Sequence, residues 1–269
     1  NAGNNFTITG NYIGGSTPSA GGSAFTIGGS VANKYVGIYV SNDSTVTTTA
    51  STIQSNTIAN LNIKSNSSAA TLTGPPAFHG IWVAGSGDVN VGGNSASNGN
   101  TVGSTTTAGS ITVAFAQNSG GMIGGISCSN SGTVLIKNNT VSGITTTGTA
   151  AVNGGINAIW SIGSGTVTIS NNTIGGTLAN SIYANAGSTA TTSANTAGIF
   201  NAGTPTSLTI SGNTISNITS AAASATINGI STSGGTTVNI SANTVNALSG
   251  SGSGSGSGPG AKSPILNGI

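Results

Sequence analysis

Val167-Thr168-Ile169-Ser170-Asn171-Asn172-Thr173-Ile174 is the clearest of seven copies of one octapeptide in this 269-residue chain. The other copies begin at Phe6 (FTITGNYI), Ser51 (STIQSNTI), Val89 (VNVGGNSA), Val134 (VLIKNNTV), Leu208 (LTISGNTI) and Val238 (VNISANTV). Position 6 is asparagine in every copy: Asn11, Asn56, Asn94, Asn139, Asn172, Asn213 and Asn243. A motif that returns every few tens of residues is typical of a solenoid, in which each unit is buried only by its neighbours.

The residue types within the octapeptide predict two short strands with a bend between them. Positions 1, 3 and 8 are apolar, apart from Ser51 and the weakly apolar Ala96, and position 2 is mostly polar. This alternation, carried largely by β-branched residues, is the pattern of a strand with one buried face. Asparagine tolerates left-handed backbone, so we expect position 6 to form the bend and position 8 to re-enter the core.

A second motif precedes six of the octapeptides, at the same distance in four of them. It consists of a small residue and isoleucine: Gly37-Ile38, Gly80-Ile81, Gly125-Ile126, Ala158-Ile159, Gly198-Ile199 and Gly229-Ile230. A third apolar point often follows position 8, as at Leu61, Ile144, Ile218 and Leu248. We therefore predict an all-β, right-handed parallel β-helix of about seven coils, with three strands per coil and long Gly/Ser/Thr/Ala-rich inserts. One domain is expected over residues 1–269.

The invariant asparagines have a specific predicted role. Coils of a β-solenoid stack about 4.8 Å apart, so equivalent residues form rows along its axis. An asparagine amide can both donate and accept a hydrogen bond, and can therefore link each coil to the next. We expect the seven position-6 residues to form a structural ladder that satisfies backbone groups at the bend.

The composition argues against an enzyme. The chain has two acids, Asp43 and Asp88, with no glutamate, no arginine and a single histidine. Glycoside hydrolysis by the usual route needs two carboxylates across one bond, and lyases on this fold typically use acid clusters that bind calcium. His79 is interpreted as a turn or loop residue, and Cys128 as a small buried hydrophobic residue. No catalytic residue, metal or cofactor is predicted.

Nucleic acid and membrane spans are also not expected as partners. The four lysines, Lys34, Lys64, Lys137 and Lys262, are spread along the chain and form no basic patch. No apolar run reaches the length of a transmembrane helix, and no signal peptide is present, which indicates a mature or internal segment.

The residues that follow the anchoring isoleucines share one register and include both tryptophans. They are Tyr39, Trp82, Ser127, Trp160, Phe200 and Ser231. Three alternatives remain for this aromatic column. The inserts fold back over it to form a second small core, or it is a protein or self-assembly interface, or its aromatic members Tyr39, Trp82, Trp160 and Phe200 stack sugar rings.

A second column is formed by octapeptide position 7: Tyr12, Thr57, Ser95, Thr140, Thr173, Thr214 and Thr244. Rows of exposed threonine on a flat solenoid are similar to the faces of ice-binding proteins, although those proteins usually pair two threonines per coil. The ordinary interpretation is β-propensity together with contacts between stacked threonines. Ice binding therefore stays an alternative function.

The end of the sequence bears on assembly. Ser249–Pro264, SGSGSGSGSGPGAKSP, is interpreted as a loop inside the solenoid because every earlier repeat has a small-residue insert there. Asn267-Gly268-Ile269 matches the opening of another coil. Since open solenoid ends expose unpaired strand edges, we expect the segment to stack end to end, on further repeats or on identical subunits.

The TVTISNNTI and GIW-type repeats, with their uncharged inserts, resemble the right-handed parallel β-helix repeats of large secreted bacterial surface proteins. Adhesins, biofilm proteins and filament proteins are built from such repeats. The resemblance implies export to the cell surface or the extracellular space and a structural or adhesive role. It carries over no catalytic residue. The alternative is a glycan- or ice-binding solenoid that uses the aromatic column or the threonine row.

Overall fold

The computed structural model of the chain describes residues 5–29, 31–43, 49–66, 77–115, 122–148, 154–185, 195–222, 225–250 and 265–269. Their strands form four parallel sheets of seven strands each, and every coil contributes one strand to each sheet. The chain is thus a parallel β-solenoid of seven coils, as the repeats predict. The Ser-Gly stretch is described only at Ser249 and Gly250; residues 251–264 lie outside the described residues.

The strands are numbered in chain order. Sheet 1 consists of β1 Thr7–Thr9, β5 Ser51–Gln54, β9 Val89–Gly92, β13 Thr133–Lys137, β17 Thr166–Ser170, β21 Ser207–Ser211 and β25 Thr237–Ser241. Sheet 2 consists of β2 Tyr12–Ile13, β6 Thr57–Ile58, β10 Thr101–Gly103, β14 Thr140–Ser142, β18 Thr173–Ile174, β22 Thr214–Ile215 and β26 Thr244–Val245. Sheet 3 consists of β3 Phe25–Ile27, β7 Leu61–Ser65, β11 Ile111–Phe115, β15 Ile144–Gly148, β19 Ile182–Ala184, β23 Ile218–Ser220 and β27 Leu248–Gly250. Sheet 4 consists of β4 Tyr35–Asn42, β8 Phe78–Gly85, β12 Ile123–Asn130, β16 Ile156–Ser161, β20 Asn195–Asn201, β24 Thr226–Thr232 and β28 Ile265–Asn267.

Each coil has four strands, and the prediction of three was wrong. The octapeptide supplies strands to both sheet 1 and sheet 2. The third apolar point begins strands of sheet 3, and the Gly-Ile motif lies within the strands of sheet 4. Most strands of sheet 2 are only two residues long. Such a strand shows one apolar residue and no alternation, so in a sequence it looks like part of a turn.

Octapeptide position 3 forms the predicted continuous inward column. Parallel pairing places Ile8, Ile53, Val91, Ile136, Ile169, Ile210 and Ile240 in one register. The five inner members are fully buried, while Ile8 and Ile240 pack against the same core from the outer coils. The hydrophobic core therefore runs along the axis as stacked layers of β-branched side chains.

The glycine of the Gly-Ile motif is required because two backbones and a side chain meet there. A Cβ atom on Gly80 would lie 2.5 Å from Val102 Cγ1 and 2.6 Å from the Gly125 carbonyl oxygen. Gly125, Gly198 and Gly229 have the same kind of neighbours, in each case the side chain at octapeptide position 8. The small residue lets sheet 4 approach sheet 2 closely, which closes the core.

The bend of the octapeptide lies one residue earlier than predicted. Position 5, not the invariant asparagine, has left-handed backbone at Gly10, Ser55, Asn138, Asn171, Gly212 and Ala242, with φ between 53° and 68°. Because position 5 bears the conformational strain, glycine and asparagine recur there, as expected for this region of backbone space. Position 6 is left free to use its side chain.

Coil 3 contains an insertion, and three residues that were assigned to the repeat from the sequence lie in it. Asn94, Ser95 and Ala96 are exposed, and Ala96–Asn98 form a short 3-10 helix outside the coil. The ladder, row and core positions are instead taken by Asn100, Thr101 and Val102, where Thr101 pairs with Thr57 and Thr140. Val102 is fully buried and so supplies the hydrophobic contact that Ala96 does not.

The last described residues belong to sheet 4. β28 pairs with β24, and the Gly268 carbonyl oxygen accepts a hydrogen bond from the Ile230 amide at 3.0 Å. Asn267-Gly268-Ile269 therefore repeats the Gly-Ile motif in the register of the earlier coils.

Candidate functional site

The asparagine ladder is continuous from the first coil to the seventh. Each side-chain amide nitrogen donates to the Oδ1 atom of the next asparagine at 2.8–3.0 Å. Its members are Asn11, Asn56, Asn100, Asn139, Asn172, Asn213 and Asn243, so the predicted ladder holds with Asn100 in place of Asn94. The five inner members are almost completely buried.

Each ladder residue also satisfies backbone groups at the bend. Asn172 Nδ2 donates to the Ile136 carbonyl oxygen of the preceding coil at 2.9 Å. Asn172 Oδ1 accepts hydrogen bonds from the backbone amide of Asn139, at 2.9 Å, and from its side-chain amide, at 3.0 Å. One side chain thus pairs the backbone amide of Asn139, which lies between β13 and β14, as well as a carbonyl oxygen of β13. Buried polar groups are costly when left unpaired.

We expect Asn172→Ala to lower the free energy of unfolding by about 1–3 kcal/mol, because it leaves the buried backbone amide of Asn139 unpaired and breaks the ladder bond to Asn213. Asn171→Ala is the matched control. Asn171 has left-handed backbone, but Ala242 already occupies the equivalent position with φ 53°, so the control should cost much less. Urea denaturation of both variants measures the difference, and equal losses would contradict the special role of position 6.

The aromatic column has the predicted register, but it is not a continuous exposed surface. Tyr39 pairs with Trp82, Trp82 with Ser127, Ser127 with Trp160 and Trp160 with Phe200. Tyr39 is 54% exposed, whereas Trp160 is only 3% exposed and packs in a small cluster with Met122, Ile162 and Phe200. The middle of the column is therefore buried in a second, small cluster of apolar side chains.

The exposed end of the column does not form a flat stacking platform. The rings of Tyr39 and Trp82 have centroids 4.9 Å apart and planes inclined at 49°. Trp82 Nε1 donates to Ser129 Oγ at 3.0 Å. Because the two rings pack against each other, they do not present adjacent parallel faces of the kind that stacks two sugar units.

His79 is a buried strand residue of β8, so its interpretation as a turn or loop residue was wrong. Its ring stacks on Trp82 at 5.2 Å and faces Trp160 at 6.5 Å. His79 Nδ1 lies 2.6 Å from Ser127 Oγ, whereas Nε2 is buried without a hydrogen-bond partner. Gly124 makes room for this packing, since its Cβ atom would lie 2.9 Å from Nδ1. Burial lowers the pKa of His79 to about 3, so the ring is neutral at pH 7.

The other reactive residues take part in packing and backbone bonding. Cys128 lies in the core as predicted, and burial raises the pKa of its thiol to about 11. Asp88 Oδ1 accepts a hydrogen bond from the Thr133 amide at 2.8 Å. Among the described residues, no three His, Cys, Asp or Glu side chains form a group that could hold a metal ion.

The threonine row is more regular than the sequence indicates. Pairing in sheet 2 aligns Tyr12, Thr57, Thr101, Thr140, Thr173, Thr214 and Thr244, because Thr101 replaces Ser95. Thr214 and Thr244 are exposed, whereas the four other threonines are half-buried. The row is therefore continuous in register but only partly accessible.

Two surface cavities lie beside the corners of the coils. A cleft of about 460 Å³ lies over coil 2, with Thr57, Asn60, Thr101 and residues of two neighbouring loops in its lining. A smaller hollow of about 200 Å³ lies on the outer face of sheet 1 and includes Lys137.

Within the described residues, no helix is both long enough and apolar enough to cross a membrane. Comparison of the chain with family models, with curated proteins and with solved structures gives no match in any of the three.

Proposed function

We propose that this chain is a non-enzymatic structural or adhesive module of an extracellular bacterial surface protein or filament. In this role the solenoid is a rigid rod whose coils stack on further coils, either of the same polypeptide or of another copy. The observation that carries the proposal is the asparagine ladder, which links all seven coils without a break.

The ladder supports a mechanical role because it adds side-chain hydrogen bonds between neighbouring coils to the backbone pairing of the four sheets. Each inner coil is bonded to the coils before and after it at the same corner, and the core column is continuous beside it. Separation of two coils breaks the strand pairing and the ladder bond together. A repeat array with such nearest-neighbour bonding is suited to transmit load along its axis.

The outer face of coil 7 supports coil-on-coil stacking. Val238 is 41% exposed, whereas its register partner Leu208 in coil 6 is fully buried. Ile240, Val245 and Leu248 are also only partly buried and pack against the core from one side. A further coil of the same pattern would cover these side chains and pair with β25, which is an edge strand of sheet 1 among the described residues, and both changes favour association.

Negative-stain microscopy and sedimentation velocity test this proposal on the 269-residue chain. We expect rods of one solenoid width that lengthen as the protein concentration rises, since seven coils alone span only about 30 Å. The variant Val238→Lys, which places a charge on the stacking face at a side chain that is already 41% exposed, should stay short. Asn239→Lys is adjacent in β25, on the outer side of sheet 1, and is the matched control. Monodisperse short particles from the unsubstituted protein, or equal shortening by the control, would contradict end-to-end stacking.

The extracellular location belongs to the same proposal. Only 2% of the residues are charged, and the resemblance to secreted surface repeats favours export. An antibody raised against this segment should label intact source cells or their extracellular fibres. Labelling that appears only after the cells are permeabilised would contradict this part of the proposal.

A further inference from the structure

The loops that connect sheet 2 to sheet 3 differ between alternate coils. Coils 1, 3 and 5 carry insertions at this corner, residues 14–24, 104–110 and 175–181, whereas coils 2, 4 and 6 pass from one strand to the next almost directly. Long and short connections therefore alternate over coils 1 to 6, whereas coil 7 has a short connection like that of coil 6. Long loops project from coils 1, 3 and 5, and the short corners of coils 2 and 4 lie between them.

A glycine fixes each loop to the following coil. Gly14, Gly103 and Gly175 follow octapeptide position 8 and have φ values of 111°, 88° and 79°. A Cβ atom on these residues would lie 1.9, 1.7 and 1.7 Å from the carbonyl oxygens of Ala59, Ser142 and Ser216. Each loop therefore begins in close contact with the backbone of the following coil. Hydrogen bonds add to this contact, as from Asn60 Nδ2 to the Gly22 carbonyl oxygen at 2.7 Å.

The loops of coils 1 and 3 flank an open cleft of about 460 Å³ over the short corner of coil 2. Thr57, Ala59 and Asn60 form its floor together with Thr101. Its walls come from residues 19–22 of the first loop and residues 104–110 of the second. The volume falls within the range of small-molecule sites, and the lining contains no charged and no aromatic side chain.

The chemistry of the lining points to one class of ligand. The polar side chains are hydroxyls of serine and threonine with one amide, and the rest of the lining is alanine and glycine. Ser104, Ser110 and Asn60 already take part in hydrogen bonds within the protein. A hydroxyl can both donate and accept a hydrogen bond. Within the described part of the chain, the hydroxyls of Thr57 and Thr101 form no hydrogen bond to another residue. A polyhydroxylated, uncharged molecule matches such groups, whereas an ionic ligand would find no counter-charge. We propose that this cleft binds a short neutral saccharide.

A cleft-filling substitution tests the proposal without a change to the core. Tyr12 occupies the threonine-row position in coil 1 and is the register partner of Thr57. A tyrosine can therefore occupy this position of the repeat, and Thr57→Tyr should fill the cleft. Thr214→Tyr makes the same change in coil 6, outside the cleft. Cellotriose, maltotriose and triacetylchitotriose are titrated against each protein by saturation-transfer NMR. We expect at least one to bind the unsubstituted protein, Thr57→Tyr to weaken that binding at least about tenfold, and Thr214→Tyr to leave it unchanged.

The double variant Thr57→Val and Thr101→Val separates hydrogen bonding from shape. This double variant keeps the volume of both side chains and should weaken sugar binding several-fold. The sugar affinity of the unsubstituted protein should not change between 50 and 500 mM salt, because no ion pair is involved. Binding of none of the three sugars, binding only of an acidic trisaccharide such as trigalacturonate, or equal losses with Thr57→Tyr and Thr214→Tyr would overturn the proposal. Failure here leaves the rod-like role intact, because that role is tested by fibre length.

Discussion

Substitution of Ile169 by aspartate is expected to unfold the solenoid around coil 5. Ile169 is fully buried in the inward column, between Ile136 and Ile210 of the neighbouring coils. Removal of its side chain alone should cost about 2–5 kcal/mol, by analogy with other large-to-small core substitutions. Burial of an unpaired carboxyl group adds several kcal/mol. The sum is comparable to the whole stability of an ordinary domain, which is about 5–15 kcal/mol.

Thr168→Asp is the matched control for this experiment. Thr168 is adjacent in β17 but points to the opposite face and is only half-buried, so aspartate there remains in contact with water. Thermal unfolding followed by circular dichroism should show a transition close to that of the unsubstituted protein for Thr168→Asp. For Ile169→Asp the cooperative transition should be lost or lowered by tens of degrees. An unchanged melting temperature for Ile169→Asp would mean that the register of sheet 1 is wrong.

The register of the core could be predicted because each inward position repeats a physical requirement. Column members such as Ile169 and Ile210 must fill the same space in each layer, so the same residue types recur at the same spacing. The ladder asparagines recur for the same reason, since each must match the hydrogen-bonding groups of the next. Repetition of a contact along the axis is therefore visible in the sequence as repetition of letters.

The features that escaped prediction arise where a coil departs from that repetition. Asn94 is followed by a serine and an alanine that resemble the end of the octapeptide. The structure places that end six residues later, at the buried Val102. Trp160 and His79 are buried by residues outside their own strands. Such coverage depends on tertiary packing and leaves no local pattern in the sequence.

The stability of the protein is expected to fall by about 3 kcal/mol between pH 7 and pH 4 because of His79 alone. Its pKa is about 3 in the folded protein and about 6.5 in the unfolded chain, since burial disfavours the charged ring. The unfolded chain therefore binds a proton at a higher pH than the folded protein does. The stabilisation by the neutral ring is fully present above pH 6.5 and is lost progressively as the pH falls to about 3.

Urea denaturation at pH 7, 5.5 and 4 measures this loss in the unsubstituted protein and in the double variant His79→Phe and Ser127→Ala. Phenylalanine keeps an aromatic ring between Trp82 and Trp160 but cannot be protonated, and the added Ser127→Ala change avoids an unpaired hydroxyl. The two proteins differ only at residues 79 and 127, so the difference between their pH dependences isolates the contribution of His79. The double variant should lose about 3 kcal/mol less than the unsubstituted protein over this interval. Identical pH dependences would show that His79 is protonated in the folded state as readily as in the unfolded chain, and that its ring is exposed to water.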